Sequence, residues 1–212
     1  MTSNYKNFNL IDHPIVKRDV TLIRNKSTQP EAFRAAVKRL STVLSVEISR
    51  NFKLLDIKVE TPLEFTEGYK ISQDVVLVPV LRAGLGMVSG FLAILPDARV
   101  GHIGLQRDEN TLMPVEYYYK TPKNIDVATV ILIDPMLATG GSASEAIKFL
   151  KKRGAKNIIF ACLVAAPEGI IKLEKDHPDI KIYGASLDRK LNNKGYILPG
   201  LGDAGDRTFG TL

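Results

Sequence analysis

The amino-acid sequence predicts an α/β fold in which a central, mostly parallel sheet is flanked by helices. Two observations carry this. Residues 74–80, 127–134 and 157–165 are short, continuously apolar runs rich in Val and Ile, the composition of strands covered on both faces. A glycine-bearing turn and a helical pattern of about ten residues follow each of the first two, and that alternation is the mark of βαβ units.

Taken in chain order, the first helix is predicted from Pro30 to Asn51, where Phe33, Val37, Leu40, Leu44 and Ile48 fall three or four apart behind a proline at the first helical position. Leu55 to Phe65 is rich in β-branched residues around Pro62 and reads as an edge strand or arm, because proline cannot donate to a central ladder. Asp74 to Val80 is the first buried strand. The turn Arg82-Ala83-Gly84-Leu85-Gly86 leads from it into a helix from Met87 to Leu95. Val115 to Lys120, with three consecutive tyrosines between Pro114 and Thr121-Pro122-Lys123, reads as a projecting hairpin or flap. Its tyrosines are expected to pack on a neighbouring surface or subunit rather than on a base. Val127 to Asp134 is the second buried strand, and the helix Ser142 to Arg153 after it is closed by Gly154 at C′. Asn157 to Ala165 is the third. A short helix around Gly169 to Lys175 and a strand from Ile180 to Ser186 complete the series. No repeat or Gly/Ser linker interrupts the chain, so one domain over residues 1–212 is expected.

The composition suits such a domain. With 212 residues, 45% hydrophobic and 25% charged, the chain is neither disordered nor fibrous in character, and it can bury enough surface to need no disulfide or metal staple. The single cysteine, Cys162, excludes an intrachain disulfide. It lies inside the apolar run 158–164 and reads as a small buried hydrophobe, with nothing beside it to lower a thiol pKa. His13, His102 and His177 are scattered without metal-ligand spacing, so no protein-built metal site is expected. The first six residues form no apolar leader and no apolar run reaches membrane-spanning length, which points to a cytoplasmic protein without a membrane partner. A net charge of +6 suits an anionic partner, either a nucleic acid or a phosphorylated metabolite.

Ligands of open α/β sheets bind beyond the carboxyl ends of the strands. The segment from Ile133 to Ser142 leaves a buried strand there and enters a helix through Gly140 and Gly141. Glycines allow close backbone approach, free N–H groups at a helix start attract anions, and Thr139 and Ser142 add hydroxyls, so the segment reads as a phosphate cradle. Asp134 is unsuited to phosphate but suited to sugar hydroxyls; together they describe a ribose 5-phosphate pocket. The ending of a P-loop and the glycine spacing of a dinucleotide fold are both absent. Arg82, at a strand end before Ala83-Gly84, has the guanidinium fork that matches phosphate oxygens. The peptide bond before it is a candidate for the cis form.

Asp134-Pro135-Met136-Leu137-Ala138-Thr139-Gly140-Gly141-Ser142 resembles the phosphoribosyl pyrophosphate (PRPP) loop of the type I phosphoribosyltransferases, in the form found in their uracil-specific branch. Val80-Leu81-Arg82-Ala83-Gly84 is similar to that family's diphosphate loop, and Gly195-Tyr196-Ile197-Leu198-Pro199-Gly200-Leu201-Gly202-Asp203-Ala204-Gly205-Asp206-Arg207 resembles its base-binding hood. Most members carry two adjacent acidic residues where this chain has Asp134-Pro135; the uracil branch shares the proline. The resemblance implies the type I phosphoribosyltransferase fold, with a small hood built from the N-terminal segment and about residues 187–210 and a projecting β-hairpin. It implies transfer of 5-phosphoribosyl from PRPP to N1 of uracil, with Mg2+ arriving on PRPP. Arg82, Arg107, Asp134 and Asp203 are then the catalytic set. PRPP would be held by these four together with Pro135, Met136, Leu137, Ala138, Thr139, Gly140, Gly141 and Ser142, and uracil by the main chain around Ile197, Gly202, Asp203 and Ala204. A GTP effector and a homodimer or homotetramer are further implications, with no nucleic-acid partner. The alternative is an RNA-binding regulator of pyrimidine operons on the same fold, for which the basic charge would supply phosphate contacts; those regulators resemble the doubly acidic loop instead.

Overall fold

The computed structural model describes residues 5–107 and 114–211. The chain opens with a short strand β1 (Phe8–Leu10) and a helix α1 (Pro14–Arg24). His13 caps α1 by accepting the Ile15 N–H at 3.1 Å, and Pro14 occupies the first turn, where a missing N–H costs nothing. α2 (Pro30–Ser49) buries Phe33, Val37, Leu40, Leu44 and Ile48, the stripe the periodicity predicts. Buried Asp19 ties the two helices, accepting from the Arg39 Nε at 2.8 Å and from Arg18 at 3.0 Å. Burial alone would raise its pKa, but the two guanidinium groups outweigh that and hold the carboxyl below the usual range.

Of the two readings of the segment around Pro62, edge strand or arm, the structure takes the arm, built from two strands rather than one. β2 (Leu54–Glu60) pairs antiparallel with β3 (Phe65–Ile71), from Leu54↔Ile71 to Glu60↔Phe65. Pro62 stands in the turn between them, where Thr61 Oγ1 accepts the N–H groups of Leu63 and Glu64 at 3.2 and 3.0 Å. The proline thus ends one strand rather than marking an edge. The remaining elements follow in order: β4 (Val75–Leu81), α3 (Leu85–Leu92), β5 (Arg99–Val100), β6 (His102–Arg107), β7 (Pro114–Lys120), β8 (Thr129–Ile133), β9 (Met136–Leu137), α4 (Gly141–Lys152), β10 (Asn157–Ala165), α5 (Pro167–Asp176), β11 (Lys181–Leu187), β12 (Lys190–Leu191), β13 (Ile197–Leu198) and α6 (Ala204–Phe209). α4 closes as predicted: Gly154 takes φ +97° and donates to the Lys151 carbonyl, while the Ala155 N–H reaches Leu150 O at 3.1 Å.

The main sheet runs β1-β11-β10-β8-β4-β6-β7, with β5 beside β4 and β9 beside β10. Every pairing in it is parallel except β6 with β7. From β4 the chain moves outward to β6; it returns to β8 on the other side of β4 and then moves to β10 and β11. The reversal between β4 and β8 opens a crevice at their carboxyl ends. Alternate strand residues feed two cores. Leu77, Ile131, Ile133 and Leu163 meet α1, α2 and α3, whereas Val76, Val78, Val130, Leu132 and Phe160 meet α4 and α5. Cys162 is buried in the second core. Burial, and secondarily the nearby Asp134 carboxyl, push its thiol pKa up, away from nucleophilic use. Among the described residues no helix is long and apolar enough to cross a membrane.

The crevice depends on a close approach at Gly84. A Cβ there would stand 2.5 Å from the Ile133 carbonyl oxygen and 2.8 Å from both N and O of Val80, all backbone atoms that cannot step aside. Gly84→Ala is therefore expected to cost about 2 kcal/mol by overpacking, read as a fall of roughly 4–8 °C in Tm for a chain of this size. An unchanged Tm would mean the β4–α3 turn has room that the backbone does not show.

Candidate active site

Two turns meet at the crevice. The first leaves β4 through Leu81–Arg82, a cis peptide bond, and continues through Ala83 and Gly84 into α3. Arg82 is exposed; its Nη2 donates to Asp206 Oδ1 of α6 at 3.2 Å, and its guanidinium lies 5.8 Å from the Phe209 ring centre. The second turn leaves β8 through Asp134 and reaches α4. Gly140 adopts φ +78°, a left-handed conformation that suits glycine, and packs on the start of α5: a Cβ there would stand 2.9 Å from the Gly169 carbonyl oxygen. The N-cap Gly140 offers no side-chain cap to α4, so the leading N–H groups other than that of Gly141 face outward with the positive end of the helix dipole. Thr139 is exposed and accepts the Gly141 N–H at 3.4 Å.

Above both turns lies the C-terminal segment. β12 and β13 form a small antiparallel ribbon, Lys190↔Leu198 and Leu191↔Ile197. Its turn is held by Asn192, whose Oδ1 accepts the N–H groups of Lys194 and Tyr196 at 2.9 and 3.0 Å. Leu198–Pro199 is also cis, and Gly200 and Gly202 take φ +62° and +82°. Asp203 caps α6 by accepting the Asp206 N–H at 2.9 Å through Oδ1.

These parts enclose one cavity of about 420 Å³, lined by Ala83, Asp134, Met136, Ala138, Lys194, Gly195, Tyr196, Ile197, Gly202, Asp203, Ala204 and Gly205. Thus Asp134, Met136 and Ala138 of the predicted sugar-phosphate turn share a space with Ile197, Gly202, Asp203 and Ala204 of the predicted hood. Arg82 stands at the margin, its Nη2 4.0 Å from the position a Cβ of Gly205 would take. Pro135 and Leu137 point away into the protein. The Pro135 carbonyl accepts the N–H groups of Leu163 and Val164 at 3.0 Å, and Leu137 is fully buried. Gly140, Gly141 and Ser142 form the junction with α4 just beyond the lining. Arg107 ends β6, and its side chain lies outside the described residues. Sequence reasoning did not single out Ala83, Lys194, Gly195, Tyr196 or Gly205 as lining residues, although each is beside or inside a recognised motif. A larger concavity of about 680 Å³ lies on the β2–β3 arm, remote from the strand carboxyl ends.

Asp134 is the electrostatic centre of the cavity. One side of the carboxyl opens to the cavity and the rest is enclosed by protein, so burial pushes its pKa up from 3.8 to about 7, against a smaller opposing pull from the Met136 N–H that donates to Oδ1 at 3.1 Å. The group is poised to ionise when hydrogen-bond donors or positive charge arrive. The tyrosines of β7 lie elsewhere. Tyr119 donates or accepts with Thr121 Oγ1 at 2.7 Å, and the Arg153 guanidinium stacks 3.9 Å above its ring. Among the described residues no cluster of three or more His, Cys, Asp or Glu stands ready to hold a metal ion by itself.

Comparison with known proteins agrees with this geometry. The structure superposes on that of the AQ2163 protein from Aquifex aeolicus with a TM-score of 0.90, at 34% identity over 95% of this chain and 97% of that one. Hypoxanthine phosphoribosyltransferase from Trypanosoma cruzi shares the fold alone, with a TM-score of 0.51 at 11% identity over 74% of this chain and 75% of the other. Curated relatives named uracil phosphoribosyltransferase include one from Finegoldia magna, 55% identical over 95% of this chain and 97% of its own length, and one from Dictyoglomus turgidum, 53% identical over 95% and 98%. The family model described as uracil phosphoribosyltransferase matches residues 10–211, the span that contains both crevice turns and the C-terminal ribbon. The chain belongs to the uracil phosphoribosyltransferase family.

Proposed function

We propose that this enzyme transfers the 5-phosphoribosyl group of PRPP to N1 of uracil: the bond from C1′ to the diphosphate oxygen breaks, the N1–C1′ bond forms, and the N1 proton departs, giving UMP and diphosphate. The observation that carries the reading is the single cavity joining Asp134 and Ala138 to the backbone of Ile197 and Gly202, which brings a sugar-phosphate turn within reach of a surface able to read a base. In this reading the α4 N-terminus, residues 138–142, holds the 5-phosphate. Asp134 accepts the ribose hydroxyls. Arg82, with Arg107, takes the diphosphate, exchanging its Asp206 partner for phosphate oxygens. The main chain at Ile197, Gly202 and Ala204 presents donors and acceptors to the N–H and two carbonyls of uracil. The hood, built from the N-terminal segment and residues 187–210, then excludes water from the reacting carbon.

Mg2+ fits the donors that line the cavity. Asp134 and Asp203 are carboxylates, and Oδ2 of Asp203 makes no hydrogen bond among the described residues. One or two carboxylates plus substrate phosphates is the coordination this cation prefers. When bound with PRPP it would supply positive charge to the departing diphosphate. The chain's own residues contribute positioning and fixed dipoles aimed where charge develops. Assembly as a homodimer or homotetramer is part of the proposal, supported by the exposed Leu54, Leu63, Phe65 and Tyr69 on the β2–β3 arm. A cytoplasmic setting is supported by the single buried cysteine. The RNA-binding alternative gains nothing, since the relatives matched over nearly their whole length carry the enzyme's name.

Incubation with PRPP, Mg2+ and a panel of bases, followed by diphosphate release, is expected to show turnover with uracil; turnover with guanine and none with uracil would reject the substrate. Asp134→Asn is expected to lower kcat/KM for PRPP by about 100-fold, as loss of one well-placed polar group does, because a neutral amide accepts ribose hydroxyls poorly. The pH dependence follows by sign. A carboxyl whose folded pKa is raised to about 7 favours the folded state while protonated, and that contribution disappears as pH rises from about 4 to 7. The apo parent should therefore lose stability over that range relative to Asp134→Asn. Over the same limb its kcat/KM for PRPP should rise as the carboxylate forms. Parallel stability curves for parent and variant would remove the electrostatic role assigned to Asp134. Asp203→Ala is expected to abolish most turnover while costing only about 1 kcal/mol from the lost α6 cap; an unfolded variant in circular dichroism would make Asp203 a structural residue.

A further inference from the structure

The base-reading segment from Ile197 to Ala204 has little regular structure of its own. Its one strand, β13, is two residues long and pairs with an equally short β12, and the segment carries a cis proline and two glycines at positive φ. Backbone readout of a base nevertheless requires donors and acceptors to stand still. What holds them comes from the opposite end of the chain. Arg24, the last residue of α1, donates through Nη1 to the Gly200 carbonyl at 2.9 Å and to Asp188 Oδ2 at 2.8 Å, and through Nη2 to Ser186 Oγ at 2.9 Å and to Asp188 Oδ1. Asp188 is 5% exposed. Its Oδ2 accepts the Gly200 N–H at 2.8 Å, and its own N–H is anchored to the Ala165 carbonyl of β10 at 2.8 Å. Both polar groups of the Gly200 backbone are therefore engaged by one ion pair. Arg207, also buried, adds a second clamp: Nη1 donates to the Leu201 carbonyl at 2.8 Å and to Ile23 O, and Nη2 to the Asn25 carbonyl at 2.7 Å, with the guanidinium 4.5 Å above the Phe33 ring. Ile23 and Asn25 belong to the carbonyl end of α1, the negative pole of that helix, which suits a buried cation.

We propose that Arg24, Asp188 and Arg207 are positioning residues for base recognition, bracing Gly200 and Leu201 so that the flanking main-chain groups of Ile197 and Gly202 meet uracil in register. The inference rests on the hood's role as the base-reading surface. Its reasoning is geometric. Gly200 and Leu201 lie between the two reading points, so a shift of either residue displaces both, and misplacement by about 1 Å costs on the order of 100-fold in related cases of positioning. The turns around Arg82 and Asp134 share no hydrogen bond with the brace, so PRPP binding should be spared.

The test separates positioning from general stability. In Arg24→Met/Asp188→Leu, an apolar pair replaces the buried ion pair, an exchange that often leaves stability unchanged, while the hydrogen bonds to Gly200 are lost. With uracil and PRPP varied separately, KM for uracil is expected to rise about tenfold or more and KM for PRPP to stay within about twofold, at a Tm lowered by only several degrees as the Gly200 N–H and C=O lose their partners. Arg24→Lys keeps the charge but loses the fork; it should fold and raise KM for uracil by a smaller factor, and it gives the answer if the double variant does not fold. Unchanged KM for uracil in either folded variant, or equal rises for both substrates, overturns the proposal. Gly202→Val, inside the reading surface, serves as control. If it raises KM for uracil and the brace variants do not, only the brace is wrong; if it leaves KM for uracil unchanged, the base-reading role falls and the brace with it.

Discussion

The site depends on the parallel pairing of β4 with β8. Their register, from Val75↔Thr129 to Pro79↔Ile133, sets their carboxyl ends side by side, with β4 running on to Leu81 past the end of β8 and the chain departing to opposite sides of the sheet. Two turns are thereby forced to lie side by side, with the Gly84 backbone pressed against the Ile133 carbonyl. A side chain at Gly84 would separate them. The cavity between Asp134 and the C-terminal segment follows from that contact.

The same geometry accounts for the electrostatics. Asp134 follows the last residue of β8, so protein encloses it on the sheet side and its charged form is disfavoured; with its pKa pushed up to about 7, its charge changes within the physiological range. Asp188 illustrates the opposite arrangement. Burial would raise its pKa too, but Arg24, the Gly200 N–H and Ser186 outweigh burial and hold it below the usual carboxylate range. The enclosed carboxylate with strong partners serves architecture, and the one with few partners faces the ligand cavity.

Arg82 shows how loosely the turn after β4 is tied to α6. Its ion pair with Asp206 is largely solvent-exposed and correspondingly weak, which is what the proposed exchange of Asp206 for phosphate oxygens requires. Asp206 also closes the first turn of α6 through its N–H on Asp203. The turn after β4 and the C-terminal segment are thus joined by an exposed contact, whereas the C-terminal segment and α1 are joined by buried ones.

The sequence by itself determined the layered α/β class, the buried strands β4, β8 and β10, the helices α2 and α4 and the glycine-bearing turn that joins β8 to α4. Each is written in neighbouring residues: apolar runs, a three-to-four spacing, glycines at a strand-to-helix junction. It also placed Asp134 and Asp203 in recognisable motifs. Only the tertiary structure decided that these two carboxylates face one cavity, that Pro135 and Leu137 turn inward despite their position in the loop, and that Leu54 to Ile71 fold back as an arm. The helix α1 escaped because its capping signal, His13-Pro14, is weak in isolation and its stability comes from packing on α2. The brace escaped for a stronger reason. Arg24 and Asp188 are 164 residues apart, and nothing local to either says that the other will be there; hydrogen bonds between distant segments exist only after the sheet has set the distance between them.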